Sequence, residues 1–454
     1  MSDKKTSSKE LLQSPKGMHD IMGDDYYRQQ GFFEKAQEIA VYYGFQPIET
    51  PILEKEELFL RGVGENTDII EKEMYNLKTK GGDKLVMRPE GTAAIMRAYV
   101  EHGMHTRPQP VMLYNYGPFF RHEKPQRGRY RQFKQFNLEM LGTPKSIADA
   151  IIIRTTIDIL EEIGFKNLCI DINSIGDGDS RKVYTRELVA YYKKHIKDLC
   201  VHCKERIKTN PLRLLDCKHA SCIELKDDAP DSLGYLSPES KKHFKEVLEY
   251  LDSMDIPYNI NKTLVRGLDY YTRTVFEIME KPEDMEDVDD EDSDDKDTDN
   301  SKKKPKEKPQ PLTLAAGGRY DGLAKTLGHR KPIPGVGVGI GVDRVVEHAD
   351  AKALNPRIIK KPKMYFIQLG FEAKLGSLAI IEILRKAHVP IAQSLSKDGI
   401  GSQLSTAEKL GVPYTIIFGQ KEVLDKTVII RNMKNHSQDT VKIEKLAEYI
   451  KKMK

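Results

Sequence analysis

Glycine occupies every second position of residues 335–341, where the sequence is Gly-Val-Gly-Val-Gly-Ile-Gly. Because side chains alternate between the two faces of a strand, this spacing predicts a strand with one face free of side chains. The bare face can accept a large flat ligand, or it can let a helix pack close to the sheet. The last spacing differs from the dinucleotide-binding fingerprint, so the segment does not indicate a Rossmann fold. A helix is expected to follow from residue 342, with Arg344 near its first turn.

The composition predicts a globular protein of two or three domains. Of the 454 residues, 39% are hydrophobic and 31% are charged, which is enough apolar material for a sizeable core. Apolar runs stay short of the roughly 18 residues that a membrane span needs, and residues 1–13 are a polar tail without an apolar signal core. Five cysteines, an odd number in a large chain, do not indicate an oxidised framework. We therefore expect a cytoplasmic protein with no membrane partner.

The net charge of +4 conceals a strong asymmetry along the chain. Residues 281–300 contain twelve acidic side chains and two lysines, which leaves a charge of about +14 for the remainder. A basic body favours a polyanionic partner, although many enzymes with neutral substrates are equally basic. Residues 281–311 have low complexity and interrupt two strand-like stretches. We expect them to be a disordered insertion in a hairpin loop, which is either functionally neutral or an interaction segment.

Composition shifts predict the domain boundaries. Residues 354–363, rich in proline and lysine, are a predicted linker between a large domain over 14–353 and a small α/β domain over 364–454. Within the large domain, residues 174–261 are expected to form a mainly helical insertion that contains four of the five cysteines. Residues 361–454 carry a charge of +7, so much of the basic excess lies in the small domain.

Hydrophobic periodicity predicts several elements of the two domains. Residues 24–43 have helical spacing, Gly44 suits the C-cap of that helix, and two prolines make residues 45–51 extended. In the large domain we also expect strands over 113–116, 136–141 and 167–172 and a helix over 149–163. In the small domain we expect strands over 364–369, 389–391, 414–418 and 427–431, alternating with helices.

Residues 264–271 concentrate unusual chemistry in a short peptide. They contain Arg266, Asp269, Tyr270 and Tyr271 and lead into a predicted strand over 274–278. A permanently charged guanidinium beside two amphipathic phenols suits a pocket for an anion next to a small planar ligand. The alternative is a strand edge that carries two half-buried tyrosines.

Residues 88–92 place a carboxylate and a hydroxyl at the start of a helix predicted over 93–100. The Glu90 carboxylate can grip the ammonium group of a ligand. It can also simply cap the helix and compensate its dipole. Both interpretations remain open at this point.

Residues 119–139 predict a strand, a basic loop and a returning strand. Arg121 and Glu123 are two residues apart, so on a strand they share a face that can offer a phosphate clamp and a polar contact to a base or metal. On the returning strand Gln135 and Glu139 also share a face, and the intervening Asn137 makes it too polar for an ordinary core. The loop arginines would repel each other unless an anion or solvent screens them; they are Arg127, Arg129 and Arg131. A solvated hairpin tip is the alternative.

Four cysteines form two close pairs in the helical insertion, namely Cys200 with Cys203 and Cys217 with Cys222. Their spacing approaches that of a structural zinc site. The alternative is four reduced thiols without a ligand, and a nearby histidine, His202 or His219, could replace one sulfur. Cys169 lies outside the cluster and is expected to be a small buried hydrophobe.

Taken together, these segments resemble the histidyl-tRNA synthetases, which are class II aminoacyl-tRNA synthetases. Residues 45–51 with the helix before them resemble motif 1, residues 119–139 resemble motif 2, and residues 335–346 resemble motif 3. The peptides 264–271 and 316–321 match the two that are particular to the histidine enzymes. The resemblance extends from about residue 16 to the C-terminus.

The resemblance implies the fold and the reaction. The fold would be α+β, with a class II antiparallel sheet flanked by helices, a helical insertion domain and a C-terminal α/β anticodon-binding domain. The reaction would be the ATP-dependent ligation of L-histidine to histidine tRNA through a histidyl-adenylate, with release of AMP and diphosphate. Mg²⁺ would accompany the ATP, motif 1 would build a homodimer, and a structural Zn²⁺ on the four cysteines would be an addition.

The resemblance also implies roles for individual residues. Histidine would be bound by Glu90, Gly91 and Thr92 at its amino end, by Gln135, which helps to orient it, and by Glu139, Tyr270 and Tyr271 at its imidazole, with Tyr320 nearby. ATP would be bound by Arg121 at the α-phosphate, by Phe133 against the adenine, by Glu123, and by Arg344 at the γ-phosphate. Arg121 and Arg266 would be the catalytic residues, because Arg266 would stabilise the charge that develops at the α-phosphate.

Two departures from the family pattern are visible. The insertion at 281–311 lengthens a hairpin that is usually short, and Asp343 stands where members often carry glutamate, which could shift a metal or phosphate contact. Two functions of other classes fit some of the same features. One is a non-catalytic histidine-binding regulatory paralogue, against which Arg266 and the adjacent tyrosines count. The other is a zinc-containing nucleic-acid-binding scaffold without enzymatic activity.

Overall fold

A computed structural model describes residues 11–64, 67–126, 128–281, 312–357, 362–394 and 398–453. Most of the predicted polar tail, Arg127, nearly all of the acidic insertion and part of the predicted linker lie outside these described residues. The chain divides into two compact units between Pro356 and Arg357. No helix among the described residues is long and apolar enough to cross a membrane.

The first unit contains ten helices among its described residues. They are α1 (Gly23–Tyr42), α2 (Glu56–Val63), α3 (Thr92–Glu101), α4 (Ile147–Glu162), α5 (Gly178–Lys194), α6 (Val201–Thr209), α7 (Ala220–Ile223), α8 (Pro238–Ser253), α9 (Leu323–Thr326) and α10 (Val342–His348). Single helical turns lie at Ile69–Glu73, Met104–Thr106, Pro211–Leu214 and Ser232–Tyr235. The segment predicted to be mainly helical therefore contains α5 to α8.

The strands of the first unit form one large and one small sheet. They are β1 (Gln46–Pro47), β2 (Leu53–Lys55), β3 (Tyr75–Lys78), β4 (Lys84–Met87), β5 (Val111–Phe120), β6 (Gln132–Leu141), β7 (Leu168–Ser174), β8 (Tyr258–Ile260), β9 (Thr272–Glu280), β10 (Leu312–Arg319) and β11 (Gly335–Gly341). The large sheet has the order β1-β5-β6-β11-β10-β9-β7-β8, antiparallel except for its two edge pairs. The small sheet has the order β2-β4-β3.

The alternating glycines give the large sheet two different faces. Val336, Val338 and Ile340 of β11 are buried in a core that includes residues of α1, α4, α8 and α10. The glycines between them point to the opposite face, as the spacing predicts. Helices therefore cover one face, and the other is available for a pocket. The observed mixture of helices and a mainly antiparallel sheet confirms the predicted α+β class.

The N-terminal helix agrees closely with its prediction. The helix begins one residue earlier than expected and ends at Tyr42. Two residues later, Gly44 has a φ of +92°. The N–H groups of Gly44 and Phe45 donate to the carbonyls of Val41 and Ala40, which closes the last turn. Glycine is favoured at this position because a side chain would strain the left-handed backbone.

The hairpin β9–β10 supports the predicted position of the acidic insertion. The two strands pair antiparallel, with Leu312 opposite Glu280, and the segment that joins them lies outside the described residues. Because the pairing continues to both ends of that segment, the insertion joins two neighbouring strands of one sheet.

The second unit is a small α/β domain. Its elements are β12 (Met364–Gln368), α11 (Phe371–Lys386), β13 (Ile391–Gln393), α12 (Ile400–Lys409), β14 (Tyr414–Phe418), α13 (Gln420–Asp425), β15 (Thr427–Asn432), β16 (Gln438–Lys442) and α14 (Leu446–Lys452). The sheet order is β13-β12-β14-β15-β16, parallel across the first three strands and antiparallel across the last three. The strand β16 was not predicted, because its sequence is mostly polar and exposed.

Candidate active site

The bare face of β11 makes room for side chains of its neighbours. A Cβ atom at Gly337 would lie 1.7 Å from Oε2 of Glu139, and one at Gly339 would lie 3.0 Å from Oδ1 of Asn137. A Cβ atom at Gly335 would lie 2.4 Å from the ring of Tyr320. Neither a helix nor a flat ligand is therefore needed to explain these glycines, because polar side chains from β6 and the end of β10 occupy the space.

Glu139 lies at the centre of this face and is fully buried. Its carboxylate accepts hydrogen bonds from Oγ1 of Thr92 at 2.6 Å and from the phenol of Tyr320. Burial raises the pKa of Glu139 to about 8, and the nearby carboxylate of Glu90 adds to the rise, while the two hydrogen bonds oppose it. Burial therefore favours the protonated form of this carboxyl group in the ligand-free protein.

Glu90 caps α3 and also contacts the pocket. Its two oxygens accept from the backbone N–H groups of Thr92 at 2.8 Å and Ala93 at 2.9 Å, which is the capping interpretation. The phenol of Tyr270 donates to the same carboxylate at 3.2 Å. Burial raises the pKa of Glu90 despite these hydrogen bonds. The Glu90 carboxylate thus contacts a buried tyrosine of the pocket as well as the N-terminus of α3.

Three tyrosines form a buried wall of the pocket. The rings of Tyr270 and Tyr271 have centroids 4.7 Å apart, and Tyr320 lies nearly perpendicular to Tyr270 at 5.8 Å. Tyr270 and Tyr271 are only 8% and 6% exposed, so the alternative of a strand edge with half-buried phenols is wrong. Burial raises the pKa of all three phenols, which therefore remain protonated and able to donate.

Arg266 lies beside the wall in an ion pair with Glu277. Burial alone would lower the pKa of the guanidinium, but Glu277 and the phenol of Tyr271 raise it above its ordinary value. Its Nε is buried and has no hydrogen-bond partner among the residues that the structure describes. The guanidinium is thus a permanent positive charge, and its buried Nε–H is free to donate to a ligand.

Arg121 and Glu123 follow β5 rather than belonging to it. The prediction that they share a strand face was wrong, because the strand ends at Phe120. They are still neighbours, with Nη1 of Arg121 3.9 Å from Oε1 of Glu123. The Arg121 guanidinium also donates through Nε to the carbonyl of Pro89 at 2.9 Å and lies 5.3 Å from the ring centroid of Phe133. Arg121, expected to bind the α-phosphate, and Phe133, expected to stack on the adenine, are therefore neighbours.

The described loop arginines have partners within the protein. Arg129 lies 3.7 Å from Oε2 of Glu123, and Nε of Arg131 donates to the carbonyl of Glu123 at 3.1 Å. An anion is therefore not required to hold these two together. Arg344 approaches the same loop, because a Cβ atom at Gly128 would lie 3.7 Å from its Nε. It donates to the carbonyl of Thr313 at 2.7 Å, and burial followed by the charge of Arg129 lowers its pKa.

Asp343 is turned away from these arginines towards other elements. Its carboxylate accepts from the backbone N–H of Lys134 on β6 at 2.6 Å and from Nε2 of Gln29 on α1 at 3.0 Å. The shorter acid at this position therefore ties α10 to β6 and α1. Gln135 and Asn137 lie with Glu139 on the pocket face, as the strand period predicts.

Two residues of the site had no predicted role. Asn137 has a buried Nδ2 without a hydrogen-bond partner in the described parts of the chain, and a Cβ atom at Gly91 would lie 2.9 Å from it. Glu277 pairs with Arg266 and accepts from Oγ1 of Thr313 at 3.3 Å. The sequence could have indicated Asn137 and Glu277 as site residues, because each is a polar residue between two apolar neighbours in a strand.

The four cysteines of the insertion converge on one point. Their sulfur atoms all lie within 4.8 Å of one another, and the sulfurs of Cys200 and Cys217 are 3.8 Å apart. A tetrahedral ion with bonds of about 2.3 Å places its sulfur ligands about 3.8 Å apart, so the donor set fits Zn²⁺. His219 instead contacts Ser221 at 3.0 Å. Burial opposes ionisation of Cys200, yet hydrogen bonds from Cys203 and the other thiols lower its pKa to about 7.

Comparisons with known proteins agree over nearly the whole chain. The family model for histidyl-tRNA synthetase matches residues 17–177, and the model for an anticodon binding domain matches residues 366–453. The histidine–tRNA ligase of Dehalococcoides mccartyi is 39% identical over 97% of this chain and 100% of its own length. That of Desulforamulus reducens is 37% identical over 97% of this chain and 99% of its own length.

A solved structure gives the same result for the fold. The crystal structure of the apo histidyl-tRNA synthetase of S. aureus matches with a TM-score of 0.74 and 30% identity, covering 97% of this chain and 100% of that one. The predicted class II fold is therefore confirmed. With relatives of this identity matched from end to end, the chain belongs to the histidyl-tRNA synthetase family.

Proposed function

We propose that this chain ligates L-histidine to histidine tRNA in two steps, with ATP as the energy source and a histidyl-adenylate as the intermediate. The observation that carries the proposal is the continuity of the 264–271 peptide, which presents Tyr270 and Tyr271 to the carboxyl-lined pocket and Arg266 to its charged edge. Recognition of the imidazole and activation of the carboxylate would thus be linked by one short segment. Membership of the family supports the same reaction.

The buried wall suits the imidazole of histidine. A neutral imidazole has one donor and one acceptor, and a carboxyl group with adjacent phenols can satisfy both. Glu139 with Tyr270, Tyr271 and Tyr320 supplies these groups in a fully buried setting. An amino acid without the ring nitrogens would leave buried polar groups unpaired, and such a penalty can supply strong discrimination.

The amino end of histidine would lie next to α3. Glu90 offers a carboxylate for the ammonium group, Thr92 a hydroxyl, and Gln135 an amide that orients the backbone. Gly91 contributes by its lack of a side chain, because a Cβ atom there would lie within 3.3 Å of Phe119 and closer still to Asn137. We add Asn137 to the site, since its unpartnered amide is aimed at this region.

ATP would bind across the arginines. Arg121 would contact the α-phosphate, Phe133 would stack on the adenine, and Arg344 would contact the γ-phosphate. The neighbouring acids Glu123 and Glu277 supply the hard oxygen ligands that suit Mg²⁺, which when bound neutralises charge on the departing diphosphate. Two contacts support this ATP site: Arg121 lies over the ring of Phe133, and Glu277 pairs with Arg266 of the 264–271 peptide.

The chemistry would proceed by positioning and electrostatics. A carboxylate oxygen of histidine attacks the α-phosphorus, the bond to the diphosphate breaks, and the diphosphate leaves with the electron pair. Arg266 and Arg121 stabilise the negative charge that develops on the phosphoryl oxygens. In the second step a ribose hydroxyl of the tRNA attacks the acyl carbon, forms the ester and loses its proton, and AMP leaves.

Further partners and the cofactors follow from the same proposal. The second unit would bind the tRNA anticodon, which its match to the anticodon-binding model supports. The four cysteines would hold a structural Zn²⁺. Exposed apolar residues on and after α1, including Tyr42 at 85% exposure, support a homodimer built on this surface. A cytoplasmic location would suit a tRNA substrate.

Histidine-dependent exchange of labelled diphosphate into ATP tests the proposed enzyme. We expect exchange with L-histidine but not with L-glutamine or L-phenylalanine, and charging of histidine tRNA when it is added. A histidine-binding regulatory protein would bind the amino acid without exchange, and a nucleic-acid-binding scaffold would bind neither histidine nor ATP. The enzyme assignment fails if purified protein binds histidine and ATP but exchanges no diphosphate.

A further inference from the structure

The segment between the second and third cysteines contacts the 264–271 peptide directly. Nδ2 of Asn210 donates to Oδ1 of Asp269 at 2.9 Å. Arg213 also lies close to Gly267, because a Cβ atom added to Gly267 would be 2.9 Å from Nη1 of Arg213. Both contacts join residues far apart in sequence, so the insertion borders the peptide that recognises histidine in the proposed function.

The same segment begins and ends at the cysteine cluster. Helix α6 starts directly after Cys200 and contains Cys203, and the turn Pro211–Leu214 comes shortly before Cys217. With four sulfurs within 4.8 Å of one another, the two ends of residues 204–216 meet at one point. A single ion bound there would close this stretch into a loop that carries Asn210 and Arg213.

Asp269 is held from several sides and lies next to Tyr270. The backbone N–H of Asp269 donates to the carbonyl of Val63 at 3.0 Å. The backbone carbonyl of Asp269 accepts from Nη1 of Arg181 at 2.7 Å. Oδ1 of Asp269 accepts from Nδ2 of Asn210 at 2.9 Å and also lies 3.7 Å from Nη2 of Arg181. Because Tyr270 is the next residue, a displacement of Asp269 moves a phenol of the pocket.

The segment is also fixed to the loop before β3. Asp68 lies 2.8 Å from Nη2 of Arg213 and 3.4 Å from Nη2 of Arg206, so one guanidinium from α6 and one from the turn after it meet one carboxylate. Arg213 also pairs with Asp216 at 3.0 Å. Residues 204–216 therefore lie between this loop and the 264–271 peptide, and the position of both depends on the shape of the segment.

We propose that Zn²⁺ bound by Cys200, Cys203, Cys217 and Cys222 fixes residues 204–216 and makes Asn210 and Arg213 positioning residues for the histidine pocket. The metal would contact no substrate and would affect the histidine pocket through the 264–271 peptide. This inference rests on the proposed function for its link to histidine, whereas the metal site itself does not. Binding of histidine should therefore depend on the metal more strongly than binding of ATP.

Metal analysis of the purified full-length chain tests the site. We expect about one Zn²⁺ per chain in the wild type and in Cys169→Ser, because Cys169 lies on β7 outside the cluster, and a loss of zinc in Cys217→Ser. The control is matched, since both variants replace a buried cysteine by serine. Four thiols that react freely in folded wild-type protein, with no zinc bound after incubation with Zn²⁺ alone, would overturn the metal site.

Kinetics of diphosphate exchange test the positioning role. We expect removal of Zn²⁺ from the wild type by a chelator to raise the KM for histidine about tenfold while the KM for ATP changes less than twofold, with recovery when Zn²⁺ returns. Asn210→Ala should raise the KM for histidine similarly while keeping its zinc, and Thr209→Ala, an exposed neighbour, should not. Chelation makes the test independent of whether Cys217→Ser folds.

Three outcomes are distinguishable. If wild-type protein exchanges no diphosphate, the proposed function fails, and the zinc content still decides the metal site. If exchange occurs but chelation or Asn210→Ala leaves the KM for histidine unchanged, the positioning role fails alone. If the KM values for histidine and ATP rise together, the metal supports the fold generally and the specific link to the histidine pocket is wrong.

Discussion

Arg319 and Asp149 form an ion pair in which neither side chain is exposed to solvent. The Arg319 guanidinium also donates to Asp321 at 3.1 Å and to the carbonyls of Thr143 and Lys145, both at 3.1 Å. This pair joins the end of β10 to helix α4. Tyr320, the next residue, donates to Glu139. A buried charge network thus fixes the residue that forms one side of the proposed histidine pocket.

We predict that Asp149→Asn destabilises the first unit by about 3–5 kcal/mol, because the fully buried Arg319 charge keeps only the partly exposed Asp321 as an anionic partner. Glu162→Gln is a matched control, since it makes the same chemical change in an exposed pair with Lys35, and its effect should stay below about 1 kcal/mol. Urea unfolding curves followed by circular dichroism measure both. Equal shifts in the two variants would contradict the role assigned to the buried pair.

A second prediction concerns the pH dependence that Glu139 confers. Its pKa is raised to about 8 in the fold, so its contribution to stability is complete below the unfolded value of about 4.5 and is lost as the pH rises through 8. Glu139→Gln stays neutral throughout. The Tm of the variant minus that of the wild type should therefore increase between pH 5 and pH 9, by an amount that corresponds to a few kcal/mol.

The measurement for Glu139 is a series of thermal unfolding scans on ligand-free protein. Asp149 supplies an internal comparison of opposite sign, because its partners lower its pKa to about 2 and its contribution is lost only as the pH falls towards that value. A constant difference between Glu139→Gln and wild type across the range would refute a raised pKa at this residue.

The phenol of Tyr320 provides a third prediction. Tyr320→Phe keeps the ring against Tyr270 but removes the hydrogen bond to Glu139, so the KM for histidine in diphosphate exchange should rise about tenfold. Tyr184→Phe is the control, because its buried hydroxyl has no hydrogen-bond partner among the described residues. The same rise in both variants would show that general packing, and not the contact with Glu139, is responsible.

The catalytic assignment of Arg266 provides a fourth. Arg266→Ala should lower kcat for adenylate formation by about 10²–10³-fold or more, because a preorganised donor for the developing phosphoryl charge is lost. Its affinity for histidine should change less than its kcat. Arg186→Ala, which removes an exposed arginine from α5, should leave exchange unaltered. Near-normal exchange by a folded Arg266→Ala protein would remove the assignment.

Local patterns explain which parts of this site could be predicted. The strand period alone places Gln135, Asn137 and Glu139 on one face and the glycines of β11 on one face, and both groupings are observed. The side chain that fills the space beside Gly337 is that of Glu139, because the register of β11 and β6 sets these two residues opposite each other. Register is a property of two paired strands, so the sequence of β11 alone could not predict which side chain lies there.

Contacts across large sequence separations could not be predicted in the same way. Arg319 meets Asp149 across 170 positions, and Asn210 meets Asp269 across 59. Each partner is an ordinary polar residue in its own segment, and only the packing of α4 and of the insertion against the sheet brings the pairs together. The strand end at Phe120 was also missed, although the backbone N–H of Arg121 still donates to the carbonyl of Arg131 one residue beyond it.

The fifth prediction returns to the alternating glycines. Gly337→Ala would place a methyl group 1.7 Å from Oε2 of Glu139 and 2.9 Å from the backbone carbonyl of Leu138, so either the carboxylate or the strand must move. Because Glu139 also accepts from Thr92 and Tyr320, its displacement breaks both contacts. We expect the KM for histidine to rise at least about tenfold, by loss of one or more buried hydrogen bonds.

Gly341→Ala is the matched control for this change, because it lies on the same strand and its new methyl group would meet nothing closer than the carbonyl of Leu314 at 3.9 Å. Both glycines lack a left-handed φ, so backbone strain does not distinguish them. Diphosphate exchange with varied histidine, together with Tm, measures the two variants. If Gly341→Ala impairs histidine binding as much as Gly337→Ala, strand packing in general explains the glycines, and the space reserved for Glu139 does not.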